Sequence, residues 1–414
     1  MPFAKTEPLR RELESALPKR GFTVRFWDGT ELPATSTNGG RGTNGNADPG
    51  PVFTVRSPKA VAYVVRAPGE LGLGRAYVAG ELEVDDLDRA IGLIDDFEEP
   101  EIDRATRARL AIAALRACGL TIPPRTPKGE LRLKGRSHSK ERDARAVRHH
   151  YDVSNEFFEL FLDKSMTYSC AIFSRGAKTL EQAQFAKLDL VCKKLALKEG
   201  ERVLDVGCGW GAFVIHAARE YGVKAVGITL SPPQAELARR RIAEAGLSDR
   251  VEVRVADYRD LHGERYDAIA SIGMVEHVGE SNIDVYAQKL RNMLGEDGRL
   301  LNHGIAHLYT DVGYHGDFTQ RYVFPDGDPV QLSRVQLALE RAGFVTEHVE
   351  EFGKDYYDTL SEWIKRLDEN LVRAEQIAGK ERLRVWRLYL RSARNIFKTE
   401  FVSIYQTLAR PRKT

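Results

Sequence analysis

The run Arg202-Val203-Leu204-Asp205-Val206-Gly207-Cys208-Gly209-Trp210-Gly211 sets an acid and three alternating glycines directly after branched apolar residues. Those apolar residues suit a short buried strand, and the glycines let the backbone turn tightly against something bulky. Ala212 to Tyr221 then reads as an amphipathic helix. A strand, a glycine turn and a helix N-terminus hold nucleotide-like ligands at the carboxyl end of strands in α/β folds. The spacing is G-x-G-x-G, not the dinucleotide G-x-G-x-x-G, and no Gly-Lys-Ser/Thr follows to cradle phosphates. The ligand implied has a nucleoside and a short tail rather than a pyrophosphate, and S-adenosylmethionine has that shape. Asp205, Gly207, Gly209 and Gly211 are the candidate contacts. The plainer alternative is a glycine-rich turn with no ligand.

Two later stretches belong to the same edge. Thr229-Leu230-Ser231-Pro232-Pro233-Gln234 follows the second strand and offers hydroxyls and an amide for a ribose or an amino-acid tail. Ser231 before Pro232 is also a helix N-cap pattern, and the two roles are compatible. Asp257-Tyr258 follows the third strand. It supplies an acceptor for an exocyclic amine and an aromatic wall for adenine.

The elements that position these loops alternate. Strands are expected at Arg202–Val206, Ala225–Ile228, Val251–Val255, Tyr266–Ser271, Arg299–His303 and Val345–Val349, with helices between them. Phe401–Leu408 alternates apolar and polar residues and suits an antiparallel edge strand. Tyr357 to Lys398 reads as two long helices. The fold class is α/β: a doubly wound, seven-stranded Rossmann-like sheet with a smaller N-terminal α+β module. That module has strands at Phe22–Phe26 and Val52–Arg56, a Gly/Asn/Thr-rich loop from Thr35 to Gly50, and a helix from Asp103 to Cys118. The domains expected are 1–122, a basic linker at 123–150, and 151–414.

Composition sets the class. The 414 residues carry a net charge of +2, with 42% apolar and 29% charged residues, as in a soluble globular protein. No apolar run approaches the roughly 18 residues of a membrane span, and Met1 to Arg11 lacks a signal-peptide core. Cys118, Cys170, Cys192 and Cys208 show neither metal spacing nor a disulfide framework, so no metal is expected. A cytoplasmic protein is implied. Arg125 to His150 stands out, with nine Lys/Arg against three Asp/Glu, or +6. It is either a solvated linker or a patch for anionic headgroups, and its lack of tryptophan, tyrosine or phenylalanine argues against nucleic acid.

With these residues in view, the chain from about Ala144 onward resembles the cyclopropane fatty acid synthase family of class I S-adenosylmethionine methyltransferases. The matching stretches are His150–Asn155, Thr167-Tyr168-Ser169-Cys170-Ala171, Leu204–Gly211, Thr229-Leu230-Ser231, Met274-Val275-Glu276-His277-Val278-Gly279, Tyr322-Val323-Phe324-Pro325 and Asp355-Tyr356. The N-terminal module is similar to that of the longer bacterial members. The resemblance implies cofactor contacts at Tyr168 and Ser169, the Asp205–Gly211 turn, Thr229, Ser231, Gln234, Asp257 and Tyr258. It also implies a bicarbonate ion acting as general base, held at Cys170, Glu276, His303, Ile305 and Tyr356.

That chemistry is self-consistent. Adding a sulfonium methyl to an alkene leaves a carbocation that must lose a proton. This needs a base poised near neutral pH, a water-poor pocket and electron-rich aromatic faces. If the cation closes as the proton leaves, a cyclopropane forms. If a hydride shifts first, an exocyclic methylene forms. Gly304 stands where many members carry a larger residue, and Asn302–Ala306 resembles the actinobacterial methylene-forming branch. The expected substrate is an oleoyl-type chain on membrane phospholipid, met at the inner membrane surface. A second copy of the chain and a reductase consuming a methylene product are the candidate protein partners. The remoter readings are an O- or N-methyltransferase of a small molecule and an inactive lipid-binding protein.

Overall fold

The computed structural model describes residues 6–35, 50–93, 102–119, 124–151, 153–308 and 317–413. They form two compact units that interleave along the chain. The first comprises Met1–Glu130, His315–Tyr322 and Ala378–Asn395, and the second Leu131–Tyr314, Val323–Ile377 and Ile396–Thr414. The boundaries read along the sequence were contiguous; these are not.

In the first unit β1 (Thr23–Arg25), β2 (Glu31–Leu32), β3 (Val52–Val55) and β4 (Leu82–Val84) form a sheet in the order β2-β1-β3-β4. β1 and β3 run parallel and the other pairs antiparallel. Residues 36–49 of the glycine-rich loop lie outside the described residues. The Arg104–Cys118 helix starts where Asp103 accepts from Thr106 N at 2.6 Å, an N-cap of the expected kind. Leu9, Phe26, Leu32, Tyr63, Leu82 and Ala117 close the core. The Lys380–Lys398 helix joins this unit through Arg384. Its guanidinium lies 4.0 Å from the Tyr77 ring centroid and donates to Tyr77 O and Leu82 O at 2.5 and 2.9 Å.

The second unit is built on β5 (Arg202–Val206), β6 (Lys224–Thr229), β7 (Val251–Val255), β8 (Tyr266–Ile272), β9 (Leu294–His307), β10 (Phe344–Glu351) and β11 (Val402–Pro411), ordered β10-β11-β9-β8-β5-β6-β7. β5 to β9 are parallel; β11 is antiparallel to both its neighbours. β5, β6 and β8 are almost continuously buried because both sheet faces are covered by helices. Leu188, Phe213, Val214 and Ala238 pack on one face, and Tyr258, Tyr286, Leu290 and Leu339 on the other. The direction of winding reverses between β5 and β8, which is where α/β sheets open a ligand crevice.

Two expectations need correction. The C-terminal strand is antiparallel but not at the edge; β10 is. Ser403, Gln406 and Thr407 made β11 look half-solvated, yet they are buried and hydrogen-bonded: Gln406 to His303, Thr407 to Gln336, and Ser403 to Glu351. The segment after β10 holds three helices, Gly353–Glu369, Leu371–Ala378 and Lys380–Lys398, not two. Asn370 and Gly379, the latter at φ 78°, separate them. The basic stretch also contains a helix, Lys140–Tyr151, held by ion pairs from Lys140 to Asp260 and from Arg142 to Asp326.

Candidate active site

At the carboxyl end of β5 the glycine turn takes the conformation its residues allow. Gly207, Gly209 and Gly211 have φ of 88°, 51° and 84°, which disfavour any side chain. The amides of Gly207 and Cys208 both donate to Ile228 O, at 3.0 and 2.9 Å, so β6 pins the turn. Trp210 fixes its far side, donating to Asn155 Oδ1 at 2.8 Å and accepting from Arg241 at 2.7 Å. Gly207, Gly209, Thr229, Gln234, Asp257 and Tyr258 line one cavity, joined by Met274, His277 and Arg259.

Gly211, Ser231, Asp205, Tyr168 and Ser169 are not among that cavity's lining residues. Gly211 is the N-cap of the Ala212–Tyr221 helix; a Cβ there would sit 3.2 Å from Ala238 Cβ. Ser231 caps the Pro232–Glu244 helix through Gln234 N, and Thr229 Oγ1 donates to Gln234 Oε1 at 2.7 Å. Both Asp257 oxygens are taken by Arg259, at 2.9 and 2.6 Å, and Arg259 also reaches Asp143 at 2.9 Å. Arg259 and Asp143 were missed, because a surface-type Arg two residues after an Asp gives no signal of a closed pair. Asp205 is 1% exposed and its Oδ1 has no partner among the described residues. Burial pushes its carboxyl up to about 7, against the pull of Lys187. Tyr168 stacks on Trp363 at 5.1 Å, and Ser169 Oγ accepts from Lys187 at 3.0 Å.

The second group forms around β9 and Phe352. Glu276 stands on the 3-10 turn Val275–His277 after β8. Its Oε1 accepts from Ile305 N at 2.7 Å, while its Oε2 is buried with no partner among the described residues. Burial raises the carboxyl to about 7, and the Ile305 N–H opposes this. His303, two residues before Ile305 and so on the same side of β9, is fully buried. Its Nδ1 meets Gln406 Nε2 at 3.2 Å, its Nε2 has no partner among the described residues, and burial holds the ring neutral. Cys170 Sγ lies 3.7 Å from Phe352 O, and burial keeps the thiol protonated. Tyr356 N donates to the same carbonyl at 3.0 Å, and its ring lies 4.6 Å from Phe397 and 6.1 Å from Trp363. His303 and Phe352 rings are 6.3 Å apart.

Gly304 explains how Glu276 reaches β9. A Cβ on residue 304 would meet Val275 Cγ1 at 2.2 Å, so the glycine admits the turn that carries the carboxylate. A missing side chain here is a packing requirement.

A glycine turn at the switch point, an acid–aromatic third loop and a buried acid beside them define a class I S-adenosylmethionine-dependent methyltransferase. The comparisons narrow the class. The family model for mycolic acid cyclopropane synthetase matches residues 138–407. The chain is 38% identical to the probable fatty acid methyltransferase Rv3720 of Mycobacterium tuberculosis, over 86% of each chain. It is 34% identical to the cyclopropane-fatty-acyl-phospholipid synthase of Escherichia coli K12, again over 86% of each. It is 29% identical to the tuberculostearic acid methyltransferase UfaA1 of M. tuberculosis, over 91% of this chain and 87% of that one. The solved mycolic acid cyclopropane synthase CmaA1, complexed with SAH and CTAB, superposes with a TM-score of 0.62 at 33% identity, covering 64% of this chain and 97% of that one. The chain belongs to the mycolic acid cyclopropane synthetase family and is an S-adenosylmethionine-dependent methyltransferase.

Proposed function

We propose that this enzyme methylates the cis double bond of an oleoyl-type acyl chain carried on membrane phospholipid, with loss of a proton to a bound bicarbonate. One observation carries the reading: Glu276 Oε2 and His303 Nε2 are both buried without partners among the described residues. Leaving such atoms unpaired costs about 1–3 kcal/mol each, and a small hydrogen-bonding ion between them satisfies both. Neutral His303, protonated Cys170 and the Tyr356 hydroxyl supply donors for an anion, and Glu276 supplies an acceptor or a shared proton. When bound, S-adenosylmethionine provides an electrophilic methyl and bicarbonate a base.

The chain's own residues do the rest. Tyr168, Trp363 and Tyr356 offer aromatic faces to a transient carbocation. Glu276, with its carboxyl raised to about 7, is poised to exchange a proton near neutral pH. Burial of Cys170, Glu276, His303 and Trp363 keeps water away from the group, where it would otherwise trap the cation as an alcohol.

The product we propose is a methylene-branched chain, supported by the Asn302–Ala306 stretch and the likeness to UfaA1. The cyclopropane is the second reading, favoured by the likeness to the E. coli synthase. A reductase would then consume the methylene product, not the ring. Among the described residues no helix is long and apolar enough to cross a membrane. We assign contact with the cytoplasmic membrane surface to the N-terminal module and to exposed Lys134, Arg136, Arg145 and Arg148. Lys140 and Arg142 are engaged in ion pairs instead. The N-terminal module is equally a surface for a second copy of the chain.

The test is incubation with methyl-labelled cofactor and oleoyl-phospholipid vesicles, with mass analysis of the released fatty acids. A gain of one CH2 is expected, and ring or exocyclic-methylene signals identify the product. Labelling of a polar small molecule alone would overturn the reading.

A further inference from the structure

The Leu180–Lys194 helix carries two buried polar side chains one turn apart, Gln184 and Lys187. Both reach the segment that precedes Cys170. Gln184 Nε2 donates to the carbonyls of Thr167 and Ser169, at 3.2 and 2.9 Å. Lys187, 1% exposed, donates from Nζ to Ser169 Oγ at 3.0 Å. A buried ammonium is costly unless nearby charge answers it. Burial pulls Lys187 down to about 8, while Asp163 and Asp205 hold it up, so it stays mostly charged at pH 7. Asp163 is already engaged, accepting from Thr167 N at 3.1 Å and Ser165 N at 2.8 Å. Asp205 Oδ1 has no partner among the described residues.

An ammonium only donates, and a hydroxyl has a single hydrogen. Ser169 Oγ must therefore accept from Lys187, and its own hydrogen is directed elsewhere. The result is a polarised donor at Ser169 and an unsatisfied acceptor at Asp205, both within electrostatic reach of Lys187. An amino-acid zwitterion needs one of each. We infer that Lys187 is a positioning residue for the cofactor's aminoacyl tail, holding Ser169 as a donor to the tail's carboxylate while Asp205 Oδ1 accepts from its α-amino group. Lys187 acts through Ser169 and touches no reacting atom. The inference rests on the reading of Ser169 as a cofactor contact.

Calorimetric binding of two ligands tests it: S-adenosylhomocysteine, and 5′-deoxy-5′-methylthioadenosine, which keeps the nucleoside and sulfur but lacks the tail. Lys187→Met, whose unbranched stem suits the same slot, should weaken the first about ten-fold, the scale of one charge-assisted hydrogen bond, and leave the second unchanged. Ser169→Ala should do the same, and the double variant should be no worse than either single one. Lys187→Arg, also donor-only, should keep the preference for the tailed ligand. Equal weakening of both ligands in Lys187→Met would make the lysine merely structural and overturn the inference. If Ser169→Ala weakens S-adenosylhomocysteine but Lys187→Met does not, only the lysine's role fails. If Ser169→Ala has no effect, the reading of Ser169 itself fails.

Discussion

The two ends of the site are built on opposite terms. At the cofactor end the polar groups largely satisfy one another: Thr229 pairs with Gln234, Ser231 caps a helix, and Asp257 is closed by Arg259. At the proposed base end, Glu276 Oε2 and His303 Nε2 are buried and unpaired among the described residues. A self-satisfied cavity keeps its shape without ligand. A cavity lined by orphaned polar atoms instead destabilises the fold until something polar enters it. The first is suited to a ligand that comes and goes each turnover, and the second to the bound ion proposed above. Asp205 is the exception at the cofactor end, and it is the residue we infer to meet the tail rather than the nucleoside.

The largest effect should come from the base end. Glu276→Gln is expected to lower turnover at least about 100-fold, the scale of lost acid–base catalysis, while S-adenosylhomocysteine affinity by calorimetry stays within about threefold. Equal loss of both would erase the distinction between the two ends. Gly304→Ala should follow, since the added Cβ drives into Val275 and shifts the turn that carries Glu276. Turnover should fall about ten-fold or more, as expected for a displaced catalytic group. Val275→Ala on top of Gly304→Ala should restore much of it. Failure of that rescue would show that the glycine is needed for something other than space.

A smaller effect lies in the pH dependence of stability. Burial raises Glu276 from its ordinary 4.5, and Asp205 from 3.8, to about 7 in each case. Between about pH 4 and 7 the folded chain holds protons that the unfolded chain has released, so stability falls as pH rises and levels off above 7. Glu276→Gln and Asp205→Asn should each flatten that slope in thermal melts. Only Asp205→Asn should also weaken the tailed ligand. The smallest effect is expected from Ser231→Ala. Loss of its cap should cost about 1 kcal/mol of stability, with cofactor affinity unchanged; weakened affinity would make Ser231 a contact after all.

Periodicity and spacing made much of the second unit legible. The glycine turn, the alternation of strands with helices and the third-loop Asp257-Tyr258 are local patterns, and local geometry follows from them. The position of β11 inside the sheet edge was hidden because Ser403, Gln406 and Thr407 are polar yet buried, with partners on other elements. Lys187 was hidden for the same reason: on a helix written with Glu181, Gln182 and Lys193 it looks like one more solvated residue. The division into units also escaped the sequence, since Arg384 makes its contacts with Tyr77 and Leu82 some 300 positions away.

By itself, then, the sequence determined the strand–turn pattern that sets Gly207, Thr229 and Asp257 around one cavity, and which residue types could form a base site. Short-range backbone chemistry specifies these. The tertiary structure alone decided which polar groups are satisfied and which are left open. Gly304 had to meet Val275 before Glu276 could reach Ile305, and β11 had to enter the sheet before Gln406 could engage His303. A buried polar atom acquires its energy from what surrounds it, and those surroundings come from distant parts of the chain.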